Sequence, residues 1–337
     1  MTLPLALLRE LTRAGPADAW SALFSHAWNI CAAPLTAGKS VMSEVPRRDR
    51  ELAAADLFLS TAAWELWAAY LDSVPRTADT LAKWWAATPP GRAVLILDSL
   101  SLREVPWFLK EAPARGYTVQ ARPTGAELPA DTTTFARALG LSHRGVLVNN
   151  GAPRIHRLQG AVTDTNDLPW DDCASAVKAQ PDWLLWHRWP DNRLHELAEP
   201  GHSVAALADE AARQLSSEAF WALVRSLTTG RRLVITSDHG YAASGLFPDT
   251  LDTAMTQALR DRYKSQRFAA LEQAWQAPEC GHWVPPIDII LPTTHGDEHA
   301  FVLGRRKWKV PGGYPTLTHG GLSLLELAVP FIELSRT

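Results

Sequence analysis

Apolar and polar positions along the chain follow two different rhythms, and the change falls near residue 90. Before it, Leu52, Ala55, Leu57, Ala62, Leu66 and Tyr70 form a stripe at helical spacing. The stripe is broken at Pro75 and at Pro89-Pro90, so this part reads as a helical segment. After Gly91 the run AVLILD (93–98) has no helical period and reads as a buried strand. The same grammar recurs at YTVQA (117–121), GVLVNN (145–150), DWLLWH (182–187), RLVITSDHG (232–240) and IDIILP (287–292). Amphipathic helical stretches are predicted between them, notably over 103–115, 203–228 and 250–275. Strands alternating with helices predict an α/β fold with a largely parallel sheet flanked by helices. The expected organisation is a helical, Trp-rich N-terminal segment, 1–90, followed by one α/β domain, 91–337.

Composition narrows the function classes. The 337 residues suffice for one large domain or two small ones, and 46% hydrophobic against 20% charged residues is the balance of an ordered globular chain. Lys plus Arg number 33 against 36 for Asp plus Glu, which rules out the strongly basic surface of a duplex nucleic-acid coat and leaves only a local basic patch open. Cys31, Cys173 and Cys280 have no paired spacing, which argues against a disulfide framework or thiolate metal site and for a reducing compartment. No apolar run approaches the ~18 residues of a membrane span. The opening MTLPLALLRELTRAG meets Arg9 and Glu10 inside its apolar stretch, so neither anchor nor signal peptide is expected, and the location is expected to be cytoplasmic. Six of the 15 tryptophans precede residue 90. With His26 alone and Cys31 a small apolar residue by default, that segment offers a docking surface and no chemistry.

Polar residues at the carboxyl ends of the predicted strands carry the candidate chemistry. Asp98 closes AVLILD, and Asp238-His239-Gly240 closes LVITS. Singly, such an Asp is a helix cap or turn former; together, two carboxylates and an imidazole on one sheet edge form a cation site lacking one further ligand. That ligand is expected from LPADTTTFARALG, where Asp131 and three threonines open a helix. A hydroxyl there lies beside unpaired N–H groups that favour an alkoxide and an incoming phosphate, although plain capping by Thr132 or Asp131 fits equally. Asp191 and His195 are four apart and share a face if helical. His319 precedes two glycines and the pattern Ser323 to Glu326, which predicts a capped helix.

In order, LILDSLS, TTFAR, DNRLH, TSDHG and GRRK followed by HGGLSLLEL resemble the alkaline phosphatase superfamily, and the last two elements resemble its PglZ family. The resemblance spans about residues 91 to 337. It implies that Asp98, Asp238, His239 and a threonine hydroxyl hold one divalent metal, while Asp191, His195 and His319 hold a second. The family spacing of four residues before Arg137 selects Thr133 as nucleophile; counting from Pro129 selects Thr132. Ser99-Leu100-Ser101 separate Asp98 from Arg103, so no role is assigned to that arginine. Mixed Asp and His donors favour zinc, with manganese as the alternative. The implied activity is a metal-dependent phosphodiesterase or phosphatase on a nucleotide, an oligonucleotide or another phosphorylated small molecule, with Arg305, Arg306 and Lys307 receiving non-scissile phosphates. PglZ domains occur in bacteriophage-exclusion systems, which implies a protein partner in phage defence. The rival reading is a phosphatase-like adaptor within a defence complex.

Overall fold

The computed structural model describes residues 3–153, 155–198, 203–247, 249–271 and 283–336; Cys280 lies outside them. Five helices come first: α1 (Leu5–Leu11), α2 (Pro16–Cys31), α3 (Val41–Thr61), α4 (Tyr70–Ser73) and α5 (Thr77–Ala87). There follow β1 (Arg92–Leu97), α6 (Val105–Ala114), β2 (Tyr117–Gly125), α7 (Thr132–Ala138), β3 (Val162–Asn166), α8 (Trp170–Ala176) and β4 (Asp182–His187). The chain continues through α9 (Asp191–Leu197), α10 (Val204–Leu215), α11 (Glu218–Thr228), β5 (Arg232–Thr236), α12 (Thr253–Tyr263) and β6 (Phe268–Ala270). It closes with β7 (Asp288–Pro292), β8 (Glu298–Val302), α13 (Leu324–Leu327) and β9 (Ala328–Arg336).

Six strands form one sheet in the order β2-β9-β5-β1-β4-β3. Pairings among β5, β1, β4 and β3 are parallel, whereas β9 runs antiparallel to both β2 and β5. The expected α/β architecture is therefore present. Its central strands read as uninterrupted apolar runs because both faces are covered. Ala93, Leu95 and Leu97 face Phe108, Leu207 and Trp221, while Val94 and Ile96 face Leu81, Trp85 and Phe135. IDIILP is a strand as predicted, but it belongs to a separate three-stranded antiparallel sheet, β6-β8-β7, packed on α12.

Local expectations fail at four places. GVLVNN is a short helical turn, Arg144–Val146, followed by a turn at 149–150 rather than a strand. The edge position of the sheet is filled instead by the polar run VTDTN, β3, which needs only one strand partner. The stretch 203–228 is two helices divided at Ser216-Ser217, where the Ser217 hydroxyl accepts from the Phe220 N–H and starts α11. The helix predicted over 250–275 stops at Tyr263 and gives way to β6. Finally, the helix after His319 is a single turn before β9: the Ser323 hydroxyl donates to the Glu326 carboxylate at 2.6 Å rather than capping, and Glu326 instead accepts from Arg267 and the Gly321 N–H.

The N-terminal helices share a core with the sheet region. Trp20 packs on Trp67 and Tyr70, with ring centroids 4.7 and 5.3 Å away. This cluster includes Leu102, Leu324, Leu327 and Val329. The Tyr70 hydroxyl donates to the Ala126 carbonyl at 2.8 Å. Buried charges add a second tie: Asp49 on α3 pairs with both Arg103 and Arg305, and Asp56 pairs with Arg305. No helix among the described residues is long and apolar enough to cross a membrane.

Candidate metal centre

Parallel strands deliver their last residues to one edge, so Asp98 after β1 and Asp238-His239 after β5 meet although 140 residues separate them. The meeting is fixed by backbone bonds. The Asp98 N–H donates to the His187 carbonyl at 3.0 Å, and the Asp191 N–H donates to the Asp98 carbonyl at 3.0 Å, which seats α9 against the same edge. Ser99 takes a left-handed φ of 65°, which points its N–H at Asp238 Oδ1, 3.1 Å away. Its hydroxyl donates to Asp191 Oδ1 at 2.9 Å.

Asp98, Asp238 and His239 are fully buried and converge as one group. His239 Nδ1 lies 2.9 Å from the Gly240 carbonyl, which can only accept, so Nδ1 carries the proton and Nε2 presents its lone pair inward. That Nε2 is 3.6 Å from Asp98 Oδ1 and 3.6 Å from Asp238 Oδ2. Asp238 Oδ1 accepts from the Ser99 and His239 N–H groups, whereas Oδ2 is buried with no hydrogen-bond partner. A buried carboxylate oxygen without a donor is costly unless a cation meets it, and here a second carboxylate and an imidazole lone pair share the same space. The donor set thus fits a divalent metal.

A second group, Asp191, His239 and His319, adjoins the first through His239. His319 Nδ1 faces the Ala130 carbonyl at 3.1 Å, so its Nε2 also turns inward, 3.9 Å from Asp191 Oδ1. Burial, reinforced by the neighbouring His239, pushes the His319 imidazole down to about 4, which keeps it a neutral donor at neutral pH. Burial works to raise the Asp191 carboxyl, but the hydrogen bond from His195 and the nearby histidines hold it well below the usual carboxylate range. His195 stands on the exposed outer side. Its Nε2 is 3.3 Å from Asp191 Oδ2, and it is not among the three that converge. The bond to Asp191 lifts the His195 pKa above its ordinary value, with burial opposing.

The threonines separate by one position. Asp131 is the cap of α7, accepting the Thr134 N–H at 2.7 Å. With capping taken, the Thr132 hydroxyl lies 3.2 Å from Asp98 Oδ1 and 3.4 Å from His239 Nε2. Thr133 is exposed, and among the described residues its hydroxyl has no partner, so the geometry favours the Pro129 count over the Arg137 spacing. The turn between β7 and β8 braces this loop: Thr294 exchanges hydrogen bonds with Leu128 at 2.7 and 2.8 Å, and His295 Nε2 reaches the Thr134 carbonyl at 3.1 Å.

Arg144, which carries no motif, pairs with Asp98 Oδ2. The misread GVLVNN stretch hid it, since a residue flanking a strand would not turn back to the sheet edge. The GRRK assignment is corrected. Arg305 is buried in its pairs with Asp49 and Asp56, and Lys307 is 3.4 Å from Asp249. Arg305 and Arg306 line a different cavity, of about 350 Å³, beside Leu57 and Phe247. The cleft that reaches the centre, about 260 Å³, is walled by His195 and His319 and contains none of the three.

Residues 161–334, just over half of the chain, match the family described as the BREX system PglZ alkaline phosphatase-like domain. The chain belongs to the PglZ family. The matched span of this PglZ domain contains Asp191, His195, Asp238, His239 and His319, while Asp98 and Thr132 precede it. No curated protein matches the chain. Similar solved structures include phosphonoacetate hydrolase from Sinorhizobium meliloti 1021 in complex with phosphonoformate, at 14% identity and a TM-score of 0.40, covering 72% of this chain and 90% of that one. Human ectonucleotide pyrophosphatase / phosphodiesterase 5 is similar at 13% identity and a TM-score of 0.39, covering 72% of this chain and 87% of that one.

Proposed function

We propose that this PglZ domain is a metal-dependent phosphohydrolase, a phosphodiesterase acting on a nucleotide or oligonucleotide within an anti-phage defence system, with Thr132 as its nucleophile. The single observation that carries the reading is the approach of Thr132 Oγ1 to Asp98 Oδ1 and His239 Nε2, beside the unpartnered Asp238 Oδ2. Asp98, Asp238, His239 and Thr132 would hold one divalent cation, and Asp191, His239 or His195, and His319 a second, zinc or manganese by donor type. Such cations, when bound, lower the pKa of a hydroxyl and neutralise charge on a phosphoryl group.

The residues do the rest. Thr132 points its hydroxyl proton at Asp98 Oδ1, which accepts it as the oxygen attacks phosphorus. Gly240 and Ala130 hold the His239 and His319 tautomers, so neither ring needs to reorient. Among the described residues, Arg144 brings the one guanidinium paired with Asp98, suited to the oxygens of the phosphoryl group. Attack on a phosphodiester expels one ester oxygen and leaves Thr132 joined to the remaining phosphomonoester; water then releases that phosphomonoester and restores Thr132. The family's description as a BREX system domain supports the defence setting. The test is metal content by elemental analysis together with turnover of bis(p-nitrophenyl) phosphate. Two metals per chain with turnover supports the reading, whereas bound metal without turnover supports the adaptor.

A further inference from the structure

The cleft beside the candidate metal centre has a chemistry of its own. His195 and His319 line it together with Ser265, Gln266, Gly312 and Gly313. Thr132 is not part of the lining, so the nucleophile and the cleft lie against different parts of the centre: Thr132 beside Asp98, the cleft beside His195 and His319. In phosphoryl transfer the attacking and leaving oxygens are roughly in line across phosphorus, and we take the cleft, beside His195 and His319 rather than Thr132, as the leaving-group side.

The described lining contains no Lys, Arg, Asp or Glu. Its uncommitted polar groups are the Ser265 and Thr318 hydroxyls and the exposed Gln266 amide, none with a hydrogen-bond partner among the described residues. Gly312 and Gly313 take φ of 82° and 93°, and nothing lies within 4 Å of a Cβ built on Gly312, so bare main chain faces open space there. Pro315 and Leu317 add apolar surface. A pyrophosphate-type leaving group carries charge that demands Arg or Lys partners. An uncharged ring system with a hydrogen-bonding edge demands an amide, a hydroxyl and an apolar face, and about 260 Å³ is close to the ~300 Å³ at which small-molecule pockets begin.

We propose that this cleft receives an uncharged nucleoside as leaving group, so that the enzyme cleaves phosphate esters of nucleosides and not pyrophosphate bonds. The inference rests on the phosphohydrolase reading given above. As the Thr132 Oγ1–P bond forms, the P–O bond to the nucleoside breaks. Its electron pair stays on the nucleoside oxygen, which takes a proton from solvent, while the proton released by Thr132 rests on Asp98. Water then cleaves the phosphothreonine, so the net reaction adds one water across the ester.

Two measurements on the full-length, zinc-loaded protein test this. Saturation-transfer NMR with adenosine reads the cleft without turnover, and Gln266→Lys, at an exposed position, adds a cation to it. Adenosine is expected to bind the wild type and to bind the variant at least tenfold more weakly. The second measurement compares kcat/KM for adenylyl(3′→5′)adenosine, whose leaving group is adenosine, with diadenosine diphosphate, whose leaving group is AMP. The wild type is expected to favour the first at least tenfold, and Gln266→Lys to narrow that ratio. Absent adenosine binding, binding indifferent to the variant, or wild-type preference for the pyrophosphate overturns the inference. If bis(p-nitrophenyl) phosphate is cleaved but adenylyl-adenosine is not, the cleft assignment fails and the hydrolase reading stands. If neither is cleaved, the hydrolase reading fails and adenosine binding alone decides the cleft.

Discussion

The imidazoles of His239 and His319 lie stacked, 4.1 Å between ring centroids and 26° between planes, and each is tied at Nδ1 to a main-chain carbonyl. Two ligand groups that the sequence presents as separate sets thereby share one wall, with His239 belonging to both. The arrangement predicts coupled rather than independent metal binding.

That coupling is testable by substitution. Asp238→Ala removes the unpartnered oxygen of the inner group and is expected to lower content toward zero metals per chain, because His239 loses its fixed neighbour as well. His319→Ala is expected to cost one metal and most activity. Elemental analysis after reconstitution reads both, and unchanged content in both variants contradicts the site.

Arg144→Ala is expected to leave metal content unchanged and to lower kcat/KM about 10²-fold, the order found for removing one preorganised donor at a developing charge. Steady-state kinetics checks it. Loss of metal instead would mean that the guanidinium serves only to steady Asp98.

The buried charges that join the N-terminal helices to the rest make a stability prediction. Asp49 meets both Arg103 and Arg305. Asp49→Ala leaves two buried guanidinium groups short of a partner, a change of the kind that costs about 3–5 kcal/mol. Urea denaturation should show it. A loss within 0.5 kcal/mol would mean that the shared hydrophobic core alone holds the segment.

Part of the pH dependence of stability comes from Glu127, whose carboxyl burial pushes up to about 7, with the Ala78 N–H and Arg76 opposing; buried Asp56 and Glu104 are pushed up in the same way. The unfolded carboxyl titrates near ~4.3, so between these values the folded chain holds a proton that the unfolded chain has released. Stability therefore falls as pH rises through this window and levels off above it. Glu127→Gln should flatten this part of a melting-temperature profile recorded from pH 4 to 8, and an unchanged slope would contradict the assignment.

The parts of the centre that end strands were legible in the sequence. Asp98, Asp238 and His239 follow short apolar runs, and a parallel sheet must bring such ends together. The choice between Thr133 and Thr132 stayed open in the sequence because it turns on which residue caps the helix: Asp131 accepts the Thr134 N–H, and Thr132 then lies beside Asp98. The strand β3 escaped notice because an edge strand need not be apolar, and Arg144 escaped with it. Arg305 read as a phosphate ligand since the aspartates that bury it, Asp49 and Asp56, lie some 250 residues away in the chain.

In the proposed mechanism one hydroxyl, that of Thr132, attacks phosphorus within a metal centre built on Asp98, Asp238 and His239. The most direct measurement is turnover of bis(p-nitrophenyl) phosphate by Thr132→Ala and Thr133→Ala, each with its metal content determined. Thr132→Ala is expected to retain metal and its fold yet lose about 10³-fold or more in kcat, the scale of losing a nucleophile, while Thr133→Ala stays within a few-fold of wild type. The reverse pattern, or equal activity in both variants, contradicts it.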